Sequence, residues 1–413
     1  MADFPKLISY QEAINILNTI PLEPLGTQQV HFKNALNRIL AQDIKAPCDV
    51  PAYPTAAMDG YAIMFEDLEL LATQGLAILL PNKAGNPTRP NLTKAHAIKT
   101  FTGSIMPLNA DTLVIVEHIT LKDDRIFLNA PIDSIRKSQW IRQIGDNYKE
   151  NEILLHKGDK IGAFEVGLLA ELNQSFVQVY QKTKVGILCV GDEIIEVGQD
   201  SPHQNVVRSV NTHLLESLLL QMGQEPIIYP ITKDDKTLIK AAYTQALKEC
   251  DMLLTTGGMS MGDYDYTQEV MQELSQIHFK GVRLKPGKPV AFGSANNTLI
   301  LGLPGFPNSC AVTFLLFGTT LLARLHNRIH KPLCLEATLL EECKRSDSRL
   351  EFRVCEVFSH NGKLSISFAS KKSIQSSMVN NLTHNTALAI LEENGSDLPK
   401  GAMVQVMFLH HLV

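Results

Sequence analysis

Between residues 184 and 327 the chain alternates short apolar runs with segments of helical spacing. That alternation limits the possible folds more than any other feature of its 413 residues. "KVGILCV" (184–190), "PIIYPI" (226–231) and "DMLLTT" (251–256) read as buried strands. Between them lie "HLLESLLLQM" (213–222), with Asn211 placed to cap it and Gly223 to end it, and "DKTLIKAAYTQALKEC" (235–250), with Asp234 as its cap. A helix "YTQEVMQELSQ" (266–276), a strand "HFKGVRL" (278–284), the runs "PVAFG" and "NTLILGL", and a long apolar helix from about Asn308 follow. Such alternation predicts a mostly parallel sheet with right-handed crossovers and helices on both faces.

The flanks have a different grain. Ser9 is placed to cap an early helix in which Ala13, Ile14 and Leu17 recur at helical spacing. From about 44 to 134 short strands and turns dominate, the best strand candidates being "GLAILL" (75–80), "AHAIKTFTG" (95–103), "TLVIVEH" (112–118) and "RIFLNA" (125–130). Residues 328–413 return to short alternating runs that predict a small barrel or sandwich. The net charge of -5, with no basic block, speaks against a nucleic-acid or anionic-membrane partner. Seven scattered cysteines without a C-x-x-C indicate reduced thiols rather than a disulfide framework or a zinc site. The start lacks a signal-type apolar region, and the longest apolar stretch, 310–325, is shorter than the roughly 20 residues of a membrane helix. A cytoplasmic globular protein is expected.

Ligands of open parallel sheets bind beyond the carboxyl ends of the strands. Three unusual stretches fall there: "VGDE" (190–193), "TTGGMSMGD" (255–263) and "GLPGFPNS" (302–309). Glycine-rich turns and helix N-termini offer free N–H groups to oxyanions, while carboxylates beside them call for a divalent cation shared with a phosphate. "RLKPGKP" (283–289) adds Arg283, Lys285 and Lys288 as candidate phosphate holders. In "PAYPTAAMDGYAI" (51–63) two prolines stiffen a loop, and Asp59 stands at a tight turn ahead of an apolar run. His326 and His330, four residues apart, read as a solvated helix end rather than metal ligands, and Trp140 reads as packing.

Taken together, these stretches resemble the molybdopterin molybdenumtransferase (MoeA) family, which includes the C-terminal domain of gephyrin. The motifs that carry the likeness are M-D-G-Y-A at 58–62, "TGSIMPLNADTLVIVEH" (102–118), G-G-x-S-x-G at 257–262, K-P-G-K-P at 285–289 and "GLPGFPNS", in that order. The resemblance implies a multidomain α/β plus β protein. Its parts would be a discontinuous N-terminal domain (1–45 and 135–180), a β-rich insertion (46–134), a parallel-sheet molybdopterin-binding domain (181–327) and a C-terminal β-barrel (328–413). It implies a homodimer that inserts molybdate into adenylylated molybdopterin with magnesium-dependent release of AMP. Molybdopterin adenylyltransferase and molybdoenzyme maturation proteins would be further partners.

Carried over by position, the implied catalytic residues are Asp59, Asp146, Asn147, Glu193 and Asp265, with Asp59, Glu193 and Asp265 also as metal ligands and Asp59 serving the partner subunit's cleft. Implied substrate contacts are Thr102, Arg142, Asp251, Gly257, Gly258, Ser260, Gly262, Lys285, Lys288, Pro304 and Pro307. Several polar positions depart from the family pattern: Ala56, Asn147, Val190, Ser209 and Phe306. Asn147 stands where the family's catalytic aspartate is expected. These departures suit an active enzyme or a paralogue that binds molybdopterin or a pathway partner without inserting metal. An adenylyltransferase, which shares the G-G-x-S-x-G sheet domain, is a third reading, and the M-D-G-Y-A segment and barrel argue against it.

Overall fold

The computed structural model describes residues 7–86, 88–200, 205–258, 266–371, 377–384 and 386–409. The chain forms two compact units, one of residues 43–157 with 171–173, the other of 1–42, 158–170 and 174–413.

The larger unit is built on a six-stranded sheet of β1 (Lys184–Cys189), β2 (Glu225–Ile228), β3 (Met252–Thr256), β4 (Gln276–Lys280), β5 (Ala291–Ala295) and β6 (Thr298–Leu303), in the order β2-β1-β3-β6-β5-β4. β2, β1, β3 and β6 run parallel, in a register that sets Leu188 beside Thr255 and Thr255 beside Gly302. The expected parallel sheet therefore holds at its centre, while β5 and β4 add antiparallel at one edge. The reversal is a hairpin at Asn296, whose φ of 53° suits a tight two-residue loop.

The crossovers are α1 (Val210–Gln221), α2 (Lys236–Glu249) and α3 (Tyr266–Leu274). The N-cap of α1 is Ser209, with Asn211 inside the first turn, and that of α2 is Asp235, whose carboxylate accepts from Leu238 N–H at 2.9 Å. Both caps thus differ from the Asn211 and Asp234 expected from sequence. Gly223 follows α1 with a φ of 77°, the left-handed stop that the sequence suggested. The expected strand 278–284 is broken after Lys280 by Gly281, at φ 83°, and Leu284–Lys285 instead pairs with Leu350–Glu351.

Pro307–Leu325 forms one helix of 19 residues, long and apolar enough by composition to cross a membrane, but 94% buried within the fold. A single π turn, Phe314–Gly318, interrupts it. A side chain on Gly318 would lie 2.4 Å from the Phe314 ring, so the glycine makes room for that ring. Phe292, Phe314, Phe317 and Leu301 form the surrounding core. The first helix, Tyr10–Thr19, joins that core through Ala13 and Leu17, and the Ser9–Glu12 capping box opens it as its sequence suggests. Five strands near the end of the chain, Cys334–Leu339, Leu350–His360, Lys363–Ser367, Thr386–Leu391 and Met403–Phe408, pair in a closed ring around Ala337, Cys355, Ile366 and Val406. Closure leaves this small barrel no free edge.

The smaller unit contains a second six-stranded sheet, in the order Thr112–Ile115, Gly60–Ile63, His96–Thr100, Leu76–Asn82, Arg125–Leu128 and Ile119–Lys122. Tyr61, Ile63, Leu71, Val114 and Ile126 fill its core.

Candidate functional site

A cavity of about 630 Å³ opens at the carboxyl ends of β1, β3 and β6. β1 lies between β2 and β3, so successive crossovers leave it in opposite directions, and that reversal is where open α/β sheets hold ligands. Cys189 and Glu193 line the cavity after β1, Thr256, Gly257 and Gly258 after β3, and Pro304 to Pro307 after β6.

Gly257 has a φ of 85°, and a Cβ there would sit 1.9 Å from the Val190 carbonyl oxygen. Only glycine lets the backbone pass so close to β1 while turning out of β3. Two helix starts also face the cavity. Neither Ser209, ahead of α1, nor Phe306, ahead of Pro307–Leu325, caps its helix through a side chain. Uncapped N–H groups with the positive end of a helix dipole favour an anion. Asn211 holds two walls together, its Nδ2 donating to the Gly305 carbonyl at 2.8 Å while its buried Oδ1 has no partner among the described residues. Most of the lining is apolar, with Ile194, Val207 and the exposed ring of Phe306 prominent, which suits a flat heterocycle beside an anionic group.

A second constellation belongs to the smaller unit. The short strand Thr55–Ala56 pairs with Ile141–Arg142, and on its other side Ala56 N–H donates to Ser104 O and Gly103 N–H to Ala56 O, both at 2.9 Å. The chain then enters the sheet at Gly60, where a Cβ would lie 2.4 Å from the Val114 carbonyl oxygen. Asp59 is left exposed at this entry. Its carboxylate accepts from Thr102 twice, from the backbone N–H and from Oγ1, each at 2.7 Å. These bonds, and more weakly the charge of Lys99, hold its pKa below the usual carboxylate value. Nearby, the Arg142 guanidinium donates to Asn147 Oδ1. The Asp146 carboxylate is engaged in closing its own turn, accepting from Gln143 N–H at 2.6 Å. Trp140 is 40% exposed rather than packed away, and its carbonyl accepts from Ala57 N–H.

The structure therefore gathers Asp59, Thr102, Arg142, Asp146 and Asn147 in one unit, and Glu193, Gly257, Gly258, Pro304 and Pro307 around the cavity of the other. Two expectations are corrected. Asp251 stands at the amino end of β3, away from the cavity, where its carboxylate accepts from Lys184 N–H at 2.7 Å and ties two strand starts together. Lys285 is turned to the barrel, 3.4 Å from the buried Glu351 carboxylate and 3.1 Å from Ser346 Oγ, so it is not a free phosphate holder. Lys288 is half-buried next to Pro289, which lines the cavity. Ser260, Gly262, Asp263 and Asp265 lie outside the described residues. The sequence reading missed Val207, Ile194 and the helix start at Ser209; the proline after Phe306 marked the other start, because proline favours the first helical position.

Residues 8–173 match the family profile of the MoeA N-terminal region (domain I and II), and residues 186–324 that described as "probable molybdopterin binding domain". The molybdopterin molybdenumtransferase of Haemophilus influenzae is 30% identical over 407 residues, covering 98% of each chain. The chain belongs to the MoeA family. Gephyrin of Dictyostelium discoideum is 27% identical over 92% of this chain and 59% of its own length. The crystal structure of the molybdopterin biosynthesis MoeA protein from Pyrococcus horikoshii OT3 matches with a TM-score of 0.81 at 27% identity, covering 98% of this chain and 100% of that one. The MoeA fold thus extends through the sheet, the cavity and the barrel.

Proposed function

We propose that this protein is a molybdopterin molybdenumtransferase, inserting molybdate into adenylylated molybdopterin with release of AMP. The observation that carries this reading is the cavity at the strand reversal, where an apolar wall meets the Gly257–Gly258 turn and two uncapped helix starts. That combination suits a pterin ring joined to phosphate.

Magnesium fits this site through Glu193, an exposed carboxylate on the cavity wall, because the ion typically binds one or two carboxylates together with substrate phosphates and water. When bound, it would neutralise phosphate charge as AMP departs. Backbone N–H groups of Gly257 and Gly258 would orient the phosphate, and Phe306 would cover the ring. Asp59, kept ionised by Thr102, would present a fixed negative charge that orients the reacting groups, while the protons given up by the thiols leave with the molybdate oxygen as water when sulfur takes its place. Arg142 supplies a cation for the oxyanion.

A second reading has one specific observation behind it: Asn147, neutral and engaged by Arg142, stands where a carboxylate is expected. A molybdopterin-binding paralogue without turnover would show that feature. The test is AMP release from adenylylated molybdopterin with molybdate and magnesium. Release that Asp59→Asn reduces at least about hundredfold, in keeping with loss of a preorganised charge at the reacting centre, supports the transferase. Molybdopterin binding without release supports the paralogue.

We also propose a homodimer in which Asp59 serves the other subunit. Mixing Asp59→Asn with Glu193→Gln should restore part of the activity that each variant lacks alone, and a monomer in light scattering would refute the arrangement.

A further inference from the structure

The larger unit holds a second, smaller cavity of about 230 Å³ next to the end of the long apolar helix. Five basic side chains line it, Lys160, His326, Arg328, His330 and Lys331, and no carboxylate does. Burial keeps the two imidazoles neutral, so the like charges gathered in this half-buried space are those of Lys160, Arg328 and Lys331, an arrangement that is unfavourable unless something negative offsets them. Burial lowers the proton affinity of Lys160, Arg328 and His330, and the Arg328 charge lowers that of Lys160 and His330 further. Asp159 supports Arg328 electrostatically from outside the lining. None of the ion pairs among the described residues engages Lys160, Arg328 or Lys331.

The other polar groups on the wall are already committed. Gln224 accepts from Thr183 N–H and donates to Met222 O, Thr319 Oγ1 donates to Leu315 O, and His326 Nε2 lies 3.2 Å from Gln181 O. His330 differs: its Nε2 is buried and has no hydrogen-bond partner among the described residues. Three cationic groups, Lys160, Arg328 and Lys331, therefore remain around one small space, with the His330 ring beside them, and a tetrahedral ion presents oxygens to match.

We propose that this cavity binds a small tetrahedral oxyanion of the phosphate or molybdate class, held by Lys160, Arg328 and Lys331 next to the His330 ring. The site is independent of the transferase reading, because none of its residues lines the larger cavity. An anion here would join residues 158–170 to the helix end through charge, and would raise the proton affinity of His330.

The experiment is calorimetric titration of the full chain with inorganic phosphate, molybdate and AMP, on the wild type, Arg328→Gln, Lys160→Gln and the surface control Lys236→Gln. The expected result is one saturable site for phosphate or molybdate whose Kd rises at least about tenfold in Arg328→Gln and in Lys160→Gln but not in the control. Tighter AMP binding with the same dependence would assign the anion to a nucleotide phosphate rather than a free ion. In parallel, the imidazole NMR titration of His330, which shares the cavity with Lys160, His326, Arg328 and Lys331 and has Asp159 behind it, should move to higher pH with phosphate in the wild type and in the control, but not in Arg328→Gln or Lys160→Gln. If Arg328→Gln does not fold, Lys160→Gln carries the test. No saturable binding, or binding indifferent to both substitutions, would overturn the proposal.

Discussion

Asp59 and Thr102 are joined by two hydrogen bonds of 2.7 Å, in which one carboxylate oxygen receives both the backbone N–H and the hydroxyl of a single threonine. The pair links the entry to one strand with the turn that follows another, and it fixes both the aim and the charge of an exposed carboxylate. Removing the hydroxyl leaves the backbone bond, so the aim should loosen without being lost.

The first prediction concerns that charge. Hydrogen bonds to the ionised form favour it, so Asp59 should protonate below the roughly 3.9 of an unperturbed aspartate. Any linked stability is thus present at neutral pH and lost as pH falls through this lowered value. Thr102→Val should shift the midpoint upward, and Thr102→Ser should preserve it. Carboxyl carbon NMR of the three proteins from pH 2 to 6 measures this; identical midpoints in the valine variant and the wild type would remove the role assigned to Thr102.

Gly257→Ala should damage the cavity through the backbone. The left-handed conformation alone costs about 1–3 kcal/mol for other residues. The added methyl would also press on the Val190 carbonyl, whose peptide plane is held in place by the bond from Gly191 N–H to Thr232 O at 3.0 Å. Urea unfolding should show a loss of at least about 2 kcal/mol. At the neighbouring Gly258, whose φ is 61°, Gly258→Ala carries the same left-handed strain of about 1–3 kcal/mol.

How much of this was legible beforehand varies with the distance over which each fact is decided. The strands at 184–190 and 251–256 declare themselves locally, through apolar runs that stop at glycines, and Ser9 with Glu12 spells out its own helix start. The position of Lys285 is decided by Glu351, on a barrel strand far along the chain, so nothing near "KPGKP" announces it. Asp251 was misread for a different reason: it precedes its strand, and an acid at a strand's amino end faces away from the sheet edge that binds ligands. The antiparallel edge depended on recognising Asn296–Asn297 as a two-residue turn, a signal that was present but shorter than the helical spacing around it.

His326 offers a prediction with the opposite control. Burial pushes its pKa from 6.5 down to about 4, and the imidazole faces Gln181 O and Thr183 Oγ1. The unfolded chain binds a proton there near pH 6.5 while the folded chain stays neutral, so this residue's contribution falls as pH drops from about 6.5 to 4. At 1.36 kcal/mol per unit the loss is limited to roughly 3 kcal/mol. His326→Gln should flatten that part of the stability curve, measured by urea unfolding at pH 4.5, 5.5 and 7. An unchanged slope would mean that the ring is solvated when the protein is acidified.

The final prediction returns to Asn147. Its amide oxygen accepts from Arg142, so geometry already exists for a carboxylate to take its place, and Asn147→Asp would form a charge-assisted pair without moving the loop. Asp146 is a poor substitute as it stands, because its carboxylate closes the turn on Gln143 N–H and redirecting it would leave that donor unmet. An aspartate at 147 would bring back both a charge and a group able to exchange a proton, neither of which an amide provides. Asn147→Asp should therefore raise AMP release at least about tenfold, equivalent to about 1.4 kcal/mol of barrier. Asp146→Asn should lower the stability of the turn more than it lowers turnover. Strong wild-type activity abolished by Asp146→Asn would show instead that the working carboxylate has moved one position along the chain, at the expense of the turn it now closes.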